Sequence, residues 1–186
     1  MAPSFSSPMK FPSLSMLLIL FIYQAYGQLP QPVPDQTTLV FYMQDIASGP
    51  NATVAAVSGI KGKDWSYTTF GTIFVVDDPV MLSSSPTSPI VGRAQGLLTA
   101  SAHDDANVKV VLSIVFNNSQ YNGSTLEIQG VSRQLENFRE VSVVSGTGKF
   151  RFARGYAVLQ TESYDPATTH SIIRLTVLLR LFRSTK

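Results

Sequence analysis

The chain of 186 residues contains no cysteine, so neither a disulfide framework nor a thiolate metal site can exist, and the core must hold by packing alone. It has only two histidines, His103 and His170, and no cluster of ligand-type residues suited to copper or haem iron. No metal and no cofactor is therefore expected. Beyond the first 27 residues, no apolar run approaches the roughly 20 residues that a membrane-spanning helix needs. The formal net charge is only +2, and no basic run is long enough to argue for a nucleic-acid partner. Arg174, Arg180, Arg183 and Lys186 are spread along a strand-like stretch and read as solvated side chains.

What is present begins with a leader. Lys10 supplies a positive start, Leu14 to Tyr23 an apolar centre, and Ala25-Tyr26-Gly27 a small-x-small cleavage site, so residues 1–27 read as a secretory signal. Cleavage there leaves 159 residues, the size of one domain, secreted to the extracellular space. Domains near that size bury roughly 70% of the surface that their unfolded chains expose, enough for a core without staples. Three glycosylation sequons, at Asn51, Asn117 and Asn122, agree with a secreted chain and mark surface loops.

Residues 28–37 hold three prolines and no apolar period, and read as an extended arm. Residues 38–186 then read as an all-β domain. From Thr38 to Ile46, Leu39, Phe41, Met43 and Asp45 share one face, so an aspartate ends an apolar row. Val54 to Ile60 is apolar but ambiguous. Tyr67 to Val76 is β-branched and aromatic, and Asp77-Asp78-Pro79 is expected to end it, since proline cannot donate to a ladder. Ile90 to Thr99 follows, with Gly92 and Gly96 suggesting a bend or a close backbone approach. Val108 to Asn117 alternates cleanly, Asn122-Gly123 marks a turn, and Ser124 to Val131 pairs back. Ile172 to Phe182 is the last strand.

Between them lies Arg139 to Gly155, two alternating runs around the turn Ser145-Gly146-Thr147-Gly148. Val141 and Val143 share a face before the turn; Phe150, Phe152, Arg154, Tyr156 and Val158 share one after it. The arginine in that aromatic row has two readings: it snorkels to water at a strand end, or it projects into a pocket where a carboxylate or an anionic ligand offsets it. The total is eight strands and no convincing helix. Regular strands with hairpin turns suggest an antiparallel barrel or a sandwich, and an eight-stranded up-and-down barrel of the lipocalin-like (calycin) kind holds one small ligand.

Five pieces in order resemble the plant dirigent family: Leu39-Val40-Phe41-Tyr42-Met43-Gln44-Asp45-Ile46; Phe70-Gly71-Thr72-Ile73 with Asp77-Asp78; Gly92-Arg93-Ala94-Gln95-Gly96; Tyr121-Asn122-Gly123-Ser124-Thr125-Leu126; and the hairpin. The resemblance covers roughly Thr38 to Leu159. It implies an eight-stranded antiparallel barrel, a homo-oligomer with a trimer favoured over a dimer, and secretion to the apoplast. It also implies a part in phenylpropanoid and lignan chemistry: a separate laccase or peroxidase makes monolignol radicals, such as those of coniferyl alcohol, and the dirigent protein sets the geometry of their union. Orientation in a cavity can supply several kcal/mol, and about 1.4 kcal/mol separates two outcomes tenfold.

The coupled product is a quinone methide, which closes when its carbonyl oxygen is protonated and a hydroxyl attacks. By resemblance, Asp45 is the pocket acid, kept protonated by desolvation, and Arg154 steadies a phenolate or a carboxylate. Asp78 is a second acid or a turn aspartate before proline. Phe41, Leu98, Phe152 and Tyr156 are the expected substrate-binding wall. Against the family pattern stand Lys149 in place of an acid after the Gly-Thr-Gly turn, Leu97 and Leu98 in place of tyrosine, Gln44 in place of histidine, and the ending from Leu178 to Lys186, which lacks the family's aromatic residues. These departures bear on the substrate and leave the barrel undisturbed. Three functions follow as expectations: a stereoselective coupling auxiliary, a quinone methide cyclase with Asp45 as general acid, and a non-catalytic cell-wall or lignin-associated binding protein.

Overall fold

A computed structural model of the chain describes residues 35–181 together with Ser15, Met16, Leu18 and Ile19. The leader expected over residues 1–27, apart from those four helical positions, and the arm up to residue 34 lie outside the described residues. No helix among the described residues is long and apolar enough to cross a membrane.

Nine strands run in chain order: β1 (Asp35–Ile46), β2 (Val54–Ser58), β3 (Ile73–Met81), β4 (Ile90–Thr99), β5 (Asn107–Phe116), β6 (Thr125–Arg133), β7 (Arg139–Gly146), β8 (Arg154–Asp165) and β9 (His170–Leu181). They pair antiparallel in the order β1-β9-β8-β7-β6-β5-β4-β3-β2, and β1 also pairs with β3. That last contact, Tyr42 opposite Met81 and Met43 opposite Val80, closes eight strands into a barrel. Closure leaves few unpaired edges on otherwise apolar strands. The ninth strand, β2, is short and shares an edge of β3: it pairs along the first half, from Ile73 to Val76, while β1 takes the end.

The barrel interior is built by alternation. Phe41 and Met43 of β1, Val110, Leu112, Ile114 and Phe116 of β5, and Leu175, Val177 and Leu179 of β9 are all buried, each set with a spacing of two. Gly92 and Gly96 sit where β4 presses on β5: a Cβ at either would run into the carbonyl oxygen of Val115 or Val111, and Gly96 has a φ of +154°.

Several boundaries differ from the sequence pattern. Strand β1 begins at Asp35, because β9 extends far enough to pair with it. The ambiguous segment after the first loop is β2. Strand β3 starts at Ile73 rather than Tyr67 and runs on through Asp77-Asp78-Pro79 to Met81. Proline is tolerated there for a specific reason. The Asp77 amide donates to the Thr53 carbonyl, so Pro79, two residues on, turns its nitrogen toward that same edge, between the stretches held by β2 and by β1.

The largest difference is in the hairpin of β7 and β8. Its connection is longer than a tight turn: Gly148–Phe150 form a single 3-10 turn, Phe152 takes a φ of +65°, and Val143 pairs with Gly155. Directly opposed residues of an antiparallel pair share a face. Arg139, Val141 and Val143 therefore point inward with Leu159, Ala157 and Gly155. Arg154 and Tyr156 stand on the outer face, and Phe152 lies in the turn, 63% exposed.

One end of the barrel is sealed by rings. Phe150 from the β7–β8 connection and Tyr121 from the β5–β6 turn pack on each other and on Phe116, with centroids 5.0 to 5.3 Å apart, and Phe116 in turn meets Phe41 at 5.4 Å. The other end is different.

Candidate functional site

At the unsealed end the barrel encloses a cavity of about 320 Å³. Its wall is apolar on several sides, with Met43, Val76, Leu98, Leu112 and Leu159, and it holds three ionisable groups, Asp45, Asp78 and Arg139, beside the hydroxyl of Tyr67. Each of the three arrives by alternation on a strand whose neighbours at spacing two are buried and apolar. Asp45 follows Phe41 and Met43, Asp78 follows Phe74 and Val76, and Arg139 precedes Val141 and Val143.

Asp78 is 2% exposed. Burial pushes its carboxyl up to about 8, and the charge of Asp45 adds to the effect, against a hydrogen bond from the Thr53 hydroxyl at 2.6 Å. Asp45 is also raised by burial, but the Arg139 guanidinium and His170 pull it back. Arg139 and His170 favour the charged form of Asp45, and that charge favours the protonated form of Asp78. Tyr67, stacked on Phe74 at 4.3 Å, is pushed above the ordinary phenol range by burial and then by the charges of Asp45 and Asp78, so it stays a donor. Burial lowers the Arg139 guanidinium, which remains a cation supported by Asp45. It donates to Gln134 Oε1 and Thr161 Oγ1, both at 2.8 Å, and its Nε is buried without a partner among the described residues.

The neighbouring Asp77 shows what the face decides. It points outward, and a short hydrogen bond from Arg93 holds its carboxyl below the usual range, with Gln95 assisting.

Of the expected site residues, Asp45, Asp78 and Leu98 meet in this cavity. Phe41 is buried at the sealed end, against Phe116. Arg154, Phe152 and Tyr156 lie outside the barrel interior. Arg154 donates to the Val144 carbonyl and, with Tyr156, borders an outer groove between β1, β8 and β9. Asn51, Asn117 and Asn122 are all exposed. Lys149 is held in the sealing turn, its Nζ 2.6 Å from the Gln120 carbonyl. The pattern reading missed Arg139 and Tyr67. For Arg139 the signal was available, because it continues the row of Val141 and Val143 as plainly as Arg154 continues the row of Phe150 and Phe152.

The chemistry available is that of two carboxyl groups in different surroundings, a cation and a phenol, in a small apolar chamber. Comparison with known proteins bears on the family and the fold. The family described as Dirigent-like protein matches residues 36–180. Dirigent protein 23 of Arabidopsis thaliana is 37% identical over 143 residues, 77% of this chain and 76% of its own length. Pterocarpan synthase 1 of Glycyrrhiza echinata is 32% identical over 174 residues, 90% of this chain and 93% of its own length. A solved structure of a pterocarpan synthase dirigent protein superposes with a TM-score of 0.73 at 31% identity, covering 84% of this chain and 91% of that one. With the barrel, the ordered motifs and these matches in agreement, the chain belongs to the dirigent family.

Proposed function

We propose that the barrel takes up a phenolic quinone methide and directs its closure to one stereoisomer, with Asp78 as general acid and Asp45 as base. The observation that carries this reading is the pair of inward carboxyl groups in one cavity: Asp78 is pushed up to about 8, while Arg139 opposes the effect of burial on Asp45. Asp78 gives its proton to the quinone methide carbonyl oxygen, and the ring regains aromaticity as a phenol. A hydroxyl oxygen of the substrate bonds to the methide carbon and its proton passes to Asp45. The step is redox-neutral, and transfer of that proton back to Asp78 through solvent resets the site. Arg139 favours the ionised form of Asp45, and the apolar wall fixes which face of the methide carbon meets the hydroxyl. The acid role expected of Asp45 passes in this reading to Asp78, because the charge of Arg139 favours the ionised form of Asp45 while Asp78 is pushed up to about 8. A volume of about 320 Å³ suits one compact phenolic molecule, at the low end of the roughly 300–1,000 Å³ of small-molecule sites. Relatives named pterocarpan synthase support a cyclising role.

A second reading is the stereoselective coupling of monolignol radicals made by a separate laccase or peroxidase, favoured by the relatives named dirigent proteins and by the long apolar wall. Secretion to the apoplast, glycans at the three sequons and assembly into a homo-oligomer belong to the same proposal.

Two parallel assays separate the readings. A hydroxyl-bearing quinone methide generated in situ is followed for closure rate and enantiomeric excess. Coniferyl alcohol with a one-electron oxidant is analysed for chiral dimers. The cyclase reading expects protein-dependent excess in the first assay and its loss in Asp78→Asn. Excess confined to the second assay replaces it with the coupling reading.

A further inference from the structure

Thr53 lies outside the cavity, in the loop between β1 and β2, yet it is tied to the site by four hydrogen bonds. Its backbone nitrogen donates to the Ile46 carbonyl at 2.9 Å, and its carbonyl accepts from the Asp77 amide at 2.9 Å. Its hydroxyl accepts from the Ile46 amide at 3.0 Å and donates to Asp78 Oδ1 at 2.6 Å. A hydroxyl has one hydrogen to give. The other acceptor in reach, the Gln44 carbonyl, is 3.4 Å away, so the hydrogen goes to Asp78.

We infer that Thr53 is a positioning residue: its hydroxyl binds one oxygen of the Asp78 carboxyl, holds the group in place and biases the acid proton toward the other oxygen. In a protonated carboxyl the carbonyl oxygen is the stronger acceptor, so a hydrogen bond from Thr53 to Oδ1 favours the proton on the other oxygen. The two backbone bonds anchor the hydroxyl to the end of β1 and the middle of β3, so the carboxyl is held from a frame and not from a free loop. Thr53 is also the third residue of the Asn51 sequon, so one hydroxyl serves glycan acceptance during synthesis and carboxyl alignment after folding.

Asp45 from β1 and Tyr67 from the segment before β3 share the cavity with Asp78, and the charges of Asp77 and of Arg93 on β4 reach it from the outer face; Arg139 of β7 and His170 of β9 act on Asp45. None of these is altered by a change at Thr53. A hydrogen bond donated to the carboxylate favours its ionised form, so removing it moves the titration of Asp78 to higher pH.

The inference rests on Asp78 being the acid, and the experiment separates the two. Aspartate carboxyl carbons are labelled with ¹³C and titrated by NMR, the Asp78 signal being assigned by its loss in Asp78→Asn. Thr53→Val and Thr53→Ala both lack the hydroxyl and keep the backbone bonds. Both are expected to raise the Asp78 midpoint by about one pH unit, while Thr53→Ser and the glycan control Asn51→Gln leave it in place. On the quinone methide probe, the variants without the hydroxyl lose about tenfold in kcat with little change in KM, and Thr53→Ser retains activity. An unmoved midpoint and unchanged kcat in both overturn the inference while leaving Asp78 as the acid. Full closure activity in Asp78→Asn overturns the acid assignment itself, and with it any role for Thr53 in catalysis.

Discussion

Asp77 and Asp78 stand on opposite faces of one strand, and the face sets the charge: the outer one is ionised beside Arg93, and the inner one keeps its proton to about pH 8. The inner one makes stability depend on pH. An unfolded carboxyl loses its proton near 3.8, so between about 4 and 8 the native chain holds a proton that the unfolded chain does not. Stability of the parent therefore falls as pH rises through that window. Asp78→Asn, which cannot ionise, gains on the parent over the same range, by on the order of 2 kcal/mol at pH 8.5. Urea denaturation at pH 5 and 8.5 measures this, and an equal difference at both pH values contradicts it. Arg139 is the second residue-scale case. It pulls the Asp45 carboxyl down, so Arg139→Leu moves the acid limb of the closure pH profile upward, with at least a tenfold loss of rate near neutrality. The sequence held the signal for Asp45, as an acid ending an apolar row. The same rule was legible at Arg139 but is easily passed over at the first residue of a strand.

Among the elements, the β7–β8 hairpin shows where pattern reading fails and why. A tight turn at Ser145 to Gly148 would set Val143 opposite Phe150. In the structure Val143 faces Gly155, a shift of five residues, and an odd shift exchanges the faces of a strand. Arg154 and Tyr156 go out; Ala157 and Leu159 come in. The longer connection places the Phe150 ring against both Phe116 and Tyr121. Phe150→Ala is expected to cost about 3–5 kcal/mol in stability by denaturant titration. Strand β4 makes a second test: Gly96→Ala forces a Cβ toward the Val111 backbone at a φ of +154°, for roughly 1–3 kcal/mol of destabilisation. Strands with one clean buried face, β1, β5 and β9, were legible because two-residue alternation and burial coincide. Strand β3 past Pro79 was not, because tolerance of the proline depends on the gap between β1 and β2, which is a tertiary fact.

For the whole molecule, a barrel sealed at one end by rings and polar at the other has a definite inside, and all of the proposed chemistry lies at the polar end. Eight closing strands and no need of cystine were readable from spacing and composition. The volume of the chamber, and which arginine enters it, depend on register and were not. The central claim is that a proton held on Asp78 is delivered in a handed cavity. It is tested most directly by the enantiomeric excess of quinone methide closure measured from pH 5 to 10. One enantiomer should dominate at neutral pH, the protein-dependent rate should fall above about pH 8, and Asp78→Asn should return the reaction to racemic product at the rate of buffer alone. Racemic product from the parent, or an excess that survives Asp78→Asn, would contradict it.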